Sequence, residues 1–162
     1  MKALIQRVRG RTEIQIGKHE KQSTQFFEGV GLVVLLGWLE SDLKHSNLDK
    51  VEEWILSRIL GLRIFEDSAG KMNLSLQDYA HANKTSSGIL WVSQFTLGAE
   101  LESGFRPSFT KAMSPNLAKI QFENFCEKIK ITSQHQNIFG QFGADMSLSF
   151  TNWGPVTLLL EK

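Results

Sequence analysis

Apolar residues fall along this chain in two rhythms, one of strands and one of helices. Residues 2–8 and 12–16 read as two strands. If the first ran on, Arg7, Arg9 and Arg11 would share one face by the period-2 rule, as a solvated edge or as a phosphate contact. Gly31–Trp38 is a continuous apolar run, the pattern of a strand buried on both faces. Val51, Trp54, Ile55, Arg58 and Ile59 then recur at helical spacing, with Ser46 as N-cap and Gly61 as the end. Residues 62–66 and 71–76 flank Asp67-Ser68-Ala69-Gly70 and predict a hairpin. Ile89–Leu97 predicts a strong strand, and Ser114-Pro115 opens a second helix whose buried stripe is Leu117, Ile120, Phe125 and Ile129. Residues 17–28 read as a hairpin or surface excursion, 77–87 as a polar stretch and 98–107 as a polar loop. The order of strands, helix, strands, helix, strands predicts an α/β domain with helices packed on sheet.

One interruption stands out. Gly154-Pro155 separates two strand-like runs, Met146–Thr151 and Val156–Leu160. Proline removes a ladder donor and glycine weakens a strand, so two breakers between good strands need a cause. One cause is a tight turn; X-Pro bonds in turns are the usual home of cis peptides. The other is a backbone presented to a ligand, since glycine has no side chain to block an approach.

Composition narrows the partners. A chain of 162 residues, 41% hydrophobic with eleven Phe and four Trp, suggests one domain with a substantial core. The formal net charge of +1 leaves room for a local basic patch but not for a global positive field. The single cysteine, Cys126, sits among Phe122, Phe125 and Ile129, which predicts a packing role and a reducing compartment. Met1–Arg7 has too short an apolar run for a signal peptide, and no stretch reaches the roughly 20 apolar residues of a membrane helix. The expected location is the cytoplasm, with no membrane partner.

Common catalytic patterns are absent. His19, His45, His81 and His135 are scattered, without a paired spacing or a second cysteine, so neither a metal nor a cofactor is expected and each His reads as a surface residue. There is no G-x-S-x-G elbow, and Gly29-Val30-Gly31 lacks the third glycine of a dinucleotide loop. Ser93-Gln94-Phe95-Thr96, read alone, is ordinary strand sequence.

Read together, seven segments change the picture. They are Leu4-Ile5-Gln6-Arg7-Val8, Leu62-Arg63-Ile64-Phe65-Glu66-Asp67, Met72-Asn73-Leu74-Ser75-Leu76, Val92-Ser93-Gln94-Phe95-Thr96-Leu97, Arg106-Pro107-Ser108-Phe109, Phe142-Gly143-Ala144-Asp145-Met146 and Asn152-Trp153-Gly154-Pro155-Val156-Thr157. In this order and spacing the chain resembles the D-aminoacyl-tRNA deacylase family from Met1 to Lys162. The resemblance implies a single α/β domain over 1–162, a partly open barrel of β-sheet with two main helices, assembled as a homodimer. It implies hydrolysis of the ester joining a D-amino acid to the 3′-terminal adenosine of tRNA, and clearance of glycine mischarged on tRNA.

The resemblance also assigns residues. Gly154 and Pro155, joined by a cis bond in the family, would enter the pocket of the partner subunit, with Arg7 holding them in place and Asn152 beside them. Phe142, Gly143, Ala144 and Met146 would line the receiving pocket with Ser93, Gln94, Phe95 and Thr96. Backbone carbonyls can accept an α-ammonium whatever side chain the substrate carries, and an L-enantiomer would drive its side chain into the backbone. The Phe95 and Thr96 N–H groups are candidate oxyanion donors. Thr96 lacks an adjacent base, so the family picture favours help from the terminal 2′-hydroxyl, with Thr96 positioning and Gln94 orienting the substrate or the last nucleotide. Trp153 is bulkier than the family's usual residue; it would stack on a base or pack on the partner subunit, and packing is the favoured reading. Loop 101–106 is less basic than usual. Two alternatives are a non-catalytic nucleic-acid binder of the kind linked to DNA replication origins, and a related deacylase that edits L-alanine on tRNA.

Overall fold

The computed structural model describes residues 1–17, 22–44, 47–102 and 104–162. Its main sheet is built on one long strand, β1 (Lys2–Ile16). Residues 2–8 and 12–16 are thus one strand rather than two. One edge of β1 pairs antiparallel with β3 (Val30–Gly37) and, further along, with β2 (Ser23–Phe27). Its other edge pairs with β8 (Met146–Glu161). Beyond β3 lie β6 (Ser87–Ser93) and β7 (Gln136–Phe139), both parallel to it. The sheet curls into a nearly closed barrel. Its seam is bridged by side-chain amides: Gln25 Nε2 donates to the Phe139 carbonyl at 3.3 Å and Gln136 Nε2 to the Phe26 carbonyl at 3.0 Å.

The sheet buries both faces, which is why β3 reads as an unbroken apolar run. Leu32, Val34 and Leu36 face a helix-covered core with Ile55, Ile59, Trp91, Phe125 and Ile129. Val33 faces the opposite way, with Val8, Ile14, Phe27, Leu90 and Ile138. The Phe27 ring lies on the backbone of β6, so closely that a methyl group at Gly88 would stand 2.2 Å from its Cγ.

Three α-helices appear among the described residues. α1 (Leu48–Gly61) is capped by Asn47, whose side chain accepts from the Lys50 N–H; the expected cap, Ser46, lies outside the described residues. α2 (Leu76–Asn83) occupies the stretch expected to be merely polar. Its capping box, Ser75 with Asp78, satisfies the first-turn donors that a short helix cannot satisfy itself. α3 (Pro115–Thr132) buries Ala118, Phe122, Phe125, Cys126 and Ile129. Leu117 and Ile120, expected in that stripe, are instead exposed, because the buried face is displaced around the helix. Packing rather than reactivity describes Cys126, whose thiol burial pushes up to about 12. A small hairpin, β4 (Phe65–Glu66) with β5 (Met72–Leu74), precedes α2. No helix among the described residues is long and apolar enough to cross a membrane.

Candidate active site

A cavity of about 610 Å³ opens beyond the ends of the parallel strands. This is where open α/β sheets generally leave a crevice, because successive connections depart from strand ends in different directions. One wall is Val92 and Ser93 at the end of β6, followed by Gln94 and Phe95. The opposite wall is Phe142–Met146, leading into β8 at Leu148. Phe109, Met113 and the first turn of α3 (Ser114, Pro115, Ala118) complete it. The two segments assigned to the pocket from sequence, distant along the chain, are therefore brought together.

The strand expected over Ile89–Leu97 ends at Ser93 for a reason that matters here. Gln94 makes the last sheet contact, its N–H donating to the Leu36 carbonyl at 2.6 Å. The chain then tightens into a 3-10 turn over Phe95–Gly98. The first N–H groups of any helix lack an intrahelical acceptor, and in this turn those groups belong to Phe95 and Thr96. The Thr96 side chain does not line the cavity. Its hydroxyl instead accepts from Gln94 Nε2 at 2.6 Å, which ties the two motif residues together. Phe95 is 55% exposed, with Phe109 against it edge-on at 5.1 Å.

Among the cavity-lining residues only Asp145 is titratable. Asp145 lies within the Phe142–Met146 segment expected to line the pocket but carries no role of its own there, and Phe109, Met113, Ser114, Pro115 and Ala118 are lining residues that the sequence does not assign. Asp145 and Phe109 stood inside quoted motifs, and Ser114-Pro115 was visible only as a helix start. No cluster of three or more His, Cys, Asp or Glu able to hold a metal occurs among the described residues. His81 is exposed and His135 half-buried, its Nδ1 paired with the Ser87 hydroxyl at 2.8 Å, so His135 is not a simple surface residue; His19 and His45 lie outside the described residues.

The remaining predicted residues gather elsewhere. Gln6 pairs with Thr157 and Val8 with Asn152, so Arg7 alone faces Trp153-Gly154-Pro155-Val156. The expected break between two final strands is thus a bulge within β8. Val156 and Trp153 turn inward while Gly154 and Pro155 are exposed, and the bond between them is cis. Gly154, Pro155, Arg7 and Asn152 do not line the cavity of their own chain.

Arg7 fastens the bulge. Its Nε donates to the Trp153 carbonyl at 3.1 Å, Nη2 to the Gly154 carbonyl at 3.4 Å and Nη1 to the Ile64 carbonyl. Arg7 is 2% exposed, and none of the ion pairs among the described residues includes it. Burial lowers the guanidinium's pKa, and nearby Glu66 and Tyr79 partly offset that. An arginine remains charged even so. Arg9 and Arg11, expected on the same face, are exposed, so the arginines do not form one buried or one solvated row. Trp153 packs within its own chain, against Phe65 at 6.2 Å and Tyr79 at 5.9 Å, and remains half-buried.

Comparison with known proteins bears on what this pair of features is for. Residues 4–161 match the family model described as D-Tyr-tRNA(Tyr) deacylase. A D-aminoacyl-tRNA deacylase of Histophilus somni is 42% identical over 160 residues, covering 99% of each chain. Another, from Paraburkholderia phymatum, is 40% identical over 162 residues, covering 99% of this chain and 98% of the relative. Of solved structures, the c-Myc DNA Unwinding Element Binding Protein matches with a TM-score of 0.79 at 35% identity, covering 100% of this chain and 99% of its own. A probable eukaryotic D-amino acid tRNA deacylase matches with a TM-score of 0.76, covering 99% of both chains; at 17% identity it speaks to the fold alone. Near-complete matches in family model and relatives, over the motifs that build both cavity and bulge, mean that the chain belongs to the D-Tyr-tRNA(Tyr) deacylase family.

Proposed function

We propose that this chain hydrolyses D-aminoacyl-tRNA by combining the cavity of one protomer with the Gly154-Pro155 tip of another. The enzyme class, a hydrolase of aminoacyl-tRNA esters, follows from the family. The observation that carries the reading is a separation: the tip is exposed and absent from its own chain's cavity. A tip and a cavity that do not meet within one chain become a complete site in a homodimer. The open outer edge of β8, with Leu158 and Leu159 exposed beyond the tip, offers a surface for that assembly.

In this site the α-ammonium of the substrate meets main-chain carbonyls around Gly154 and Pro155. Such acceptors serve any D-side chain, while an L-side chain collides with backbone. Glycine has no side chain to collide, so glycyl-tRNA is admitted too. Water adds to the ester carbonyl, and the oxygen takes up negative charge facing the Phe95 and Thr96 N–H groups. Collapse breaks the bond to the ribose 3′-oxygen, which takes a proton and leaves as free tRNA with the D-amino acid. Thr96 has no base beside it in its motif, and its hydroxyl accepts from Gln94 Nε2 instead of lining the cavity, so it is a poor candidate for the attacking group. The terminal 2′-hydroxyl of the substrate helps activate the water, while Thr96 and Gln94 hold the turn and Ser93, Phe142, Gly143, Ala144 and Met146 shape the pocket.

The test is a comparison of substrates. D-Tyrosyl-tRNA and glycyl-tRNA are expected to lose their esters rapidly, and L-tyrosyl-tRNA and L-alanyl-tRNA to survive. Rapid loss of L-alanyl-tRNA would point to the L-alanine-editing relative instead. Survival of every ester together with tight duplex binding would favour the DNA-binding alternative. That alternative has little support in a net charge of +1, since duplex affinity rests on neutralising phosphates.

A further inference from the structure

We infer that Trp153 is a positioning residue for stereochemical discrimination, and that the β4–β5 hairpin and α2 exist at this place as its buttress. The inference rests on the proposed function, because it assigns what holds the Gly154-Pro155 tip at the right height. Three observations carry it. First, the Trp153 indole covers the Arg7 guanidinium at 4.4 Å, and the exposed Arg9 lies 5.6 Å from the same ring. Second, the indole rests edge-on against Phe65 and Tyr79, which themselves pack at 5.3 Å. Third, the Trp153 carbonyl is bound by the same guanidinium that binds the neighbouring Gly154 carbonyl. The residue therefore grips Arg7 twice, by its ring and by its main chain. A side chain at this place fixes the height of the following peptide, whose carbonyls face the substrate ammonium.

Without the ring, Arg7 gains water as an alternative partner and its hold on the Gly154 carbonyl slackens. An L-side chain then finds room that the fixed backbone denies it. Simple destabilisation differs in its reading: it lowers the folded fraction for both enantiomers alike and leaves their ratio unchanged.

The decisive measurement is the ratio of kcat/KM on D-tyrosyl-tRNA to that on L-tyrosyl-tRNA. Trp153→Leu keeps apolar volume but loses the aromatic face; about a tenfold fall in this ratio is expected, on the scale of lost positioning. Trp153→Phe is expected to recover most of it. If Trp153→Leu does not fold, Tyr79→Leu, at a half-buried site on α2, removes the buttress and is expected to lower the ratio in the same direction. A folded Trp153→Leu, or failing that a folded Tyr79→Leu, with the wild-type ratio overturns the inference. A wild-type chain that spares D-tyrosyl-tRNA overturns the parent reading and this one with it. An active wild type beside an unchanged variant overturns this one alone.

Discussion

Replacing Arg7 by methionine tests the link between the bulge and catalysis. The guanidinium donates to three main-chain carbonyls, on Trp153, Gly154 and Ile64, and has the Trp153 ring at 4.4 Å and the Phe65 ring at 5.9 Å beside it. Hydrogen bonds from a charged group contribute about 1.5–3 kcal/mol each, but they do not simply add. Methionine fills much of the volume, and removing a cation without a carboxylate partner returns its desolvation cost. The expected net loss of stability is therefore about 3 kcal/mol, near the cost of one such bond with its buried acceptor left unmet. The functional loss should be of similar size. With its main anchor gone, the tip shifts on the ångström scale, and misplacement of that size costs about 100-fold in rate. Urea denaturation reads the first quantity, and single-turnover hydrolysis of D-tyrosyl-tRNA the second. A folded Arg7→Met chain within about threefold of the wild-type kcat/KM would refute the role given to this arginine.

Other consequences are open to simple measurement. Lys128 donates to the fully buried Glu52 at 2.6 Å and to Asp49 at 2.7 Å, and Trp38 donates to Glu52 at 2.9 Å; Lys128→Met is expected to cost about 3 kcal/mol in urea denaturation, because it strands a buried carboxylate. A thiol held at about 12 is almost wholly protonated at pH 8, so Cys126 should resist a thiol reagent in the native chain and react once urea unfolds it; rapid native labelling would contradict its burial. The Asp78 carboxyl is held below its ordinary value, first by the Ser75 hydroxyl and then by the Ser75 backbone N–H. A depressed folded pKa gives stability that is present above the unfolded value of about 3.9 and lost as pH falls through the folded one. Thermal melts from pH 6 to pH 2 should therefore show Asp78→Asn with a weaker acid dependence than the wild type, and equal slopes would count against the capping box.

Legibility in the sequence followed local chemistry. β3 was plain because both its faces are buried, and α1 because its apolar spacing is regular. α2 was hidden by its composition: eight residues with one fully buried, Leu76, present no stripe to count. Its Ser75-Leu76-Gln77-Asp78 start was nonetheless a capping signal. The end of β6 is not legible in the sequence because apolar residues run on through Leu97, and only the tertiary bond from Gln94 to Leu36 shows where the ladder stops. β7 escaped notice because four residues beside a polar turn carry too little pattern. The cavity segments and the Gly154-Pro155 segment are both visible as motifs. That one forms a cavity and the other a bulge outside it depends on register: no local pattern says that Arg7 stands opposite four residues.

β8 does two jobs. Near its start Met146 and Leu148 wall the cavity, and further along it carries Gly154 and Pro155. Gly154 lies eight residue steps along the strand from Met146, roughly 26 Å at the rise of a strand. Such a strand is a ruler. In the proposed dimer its length would set the gap between the socket a molecule offers and the plug it extends, and an inserted or deleted residue between them would put both out of gauge at once.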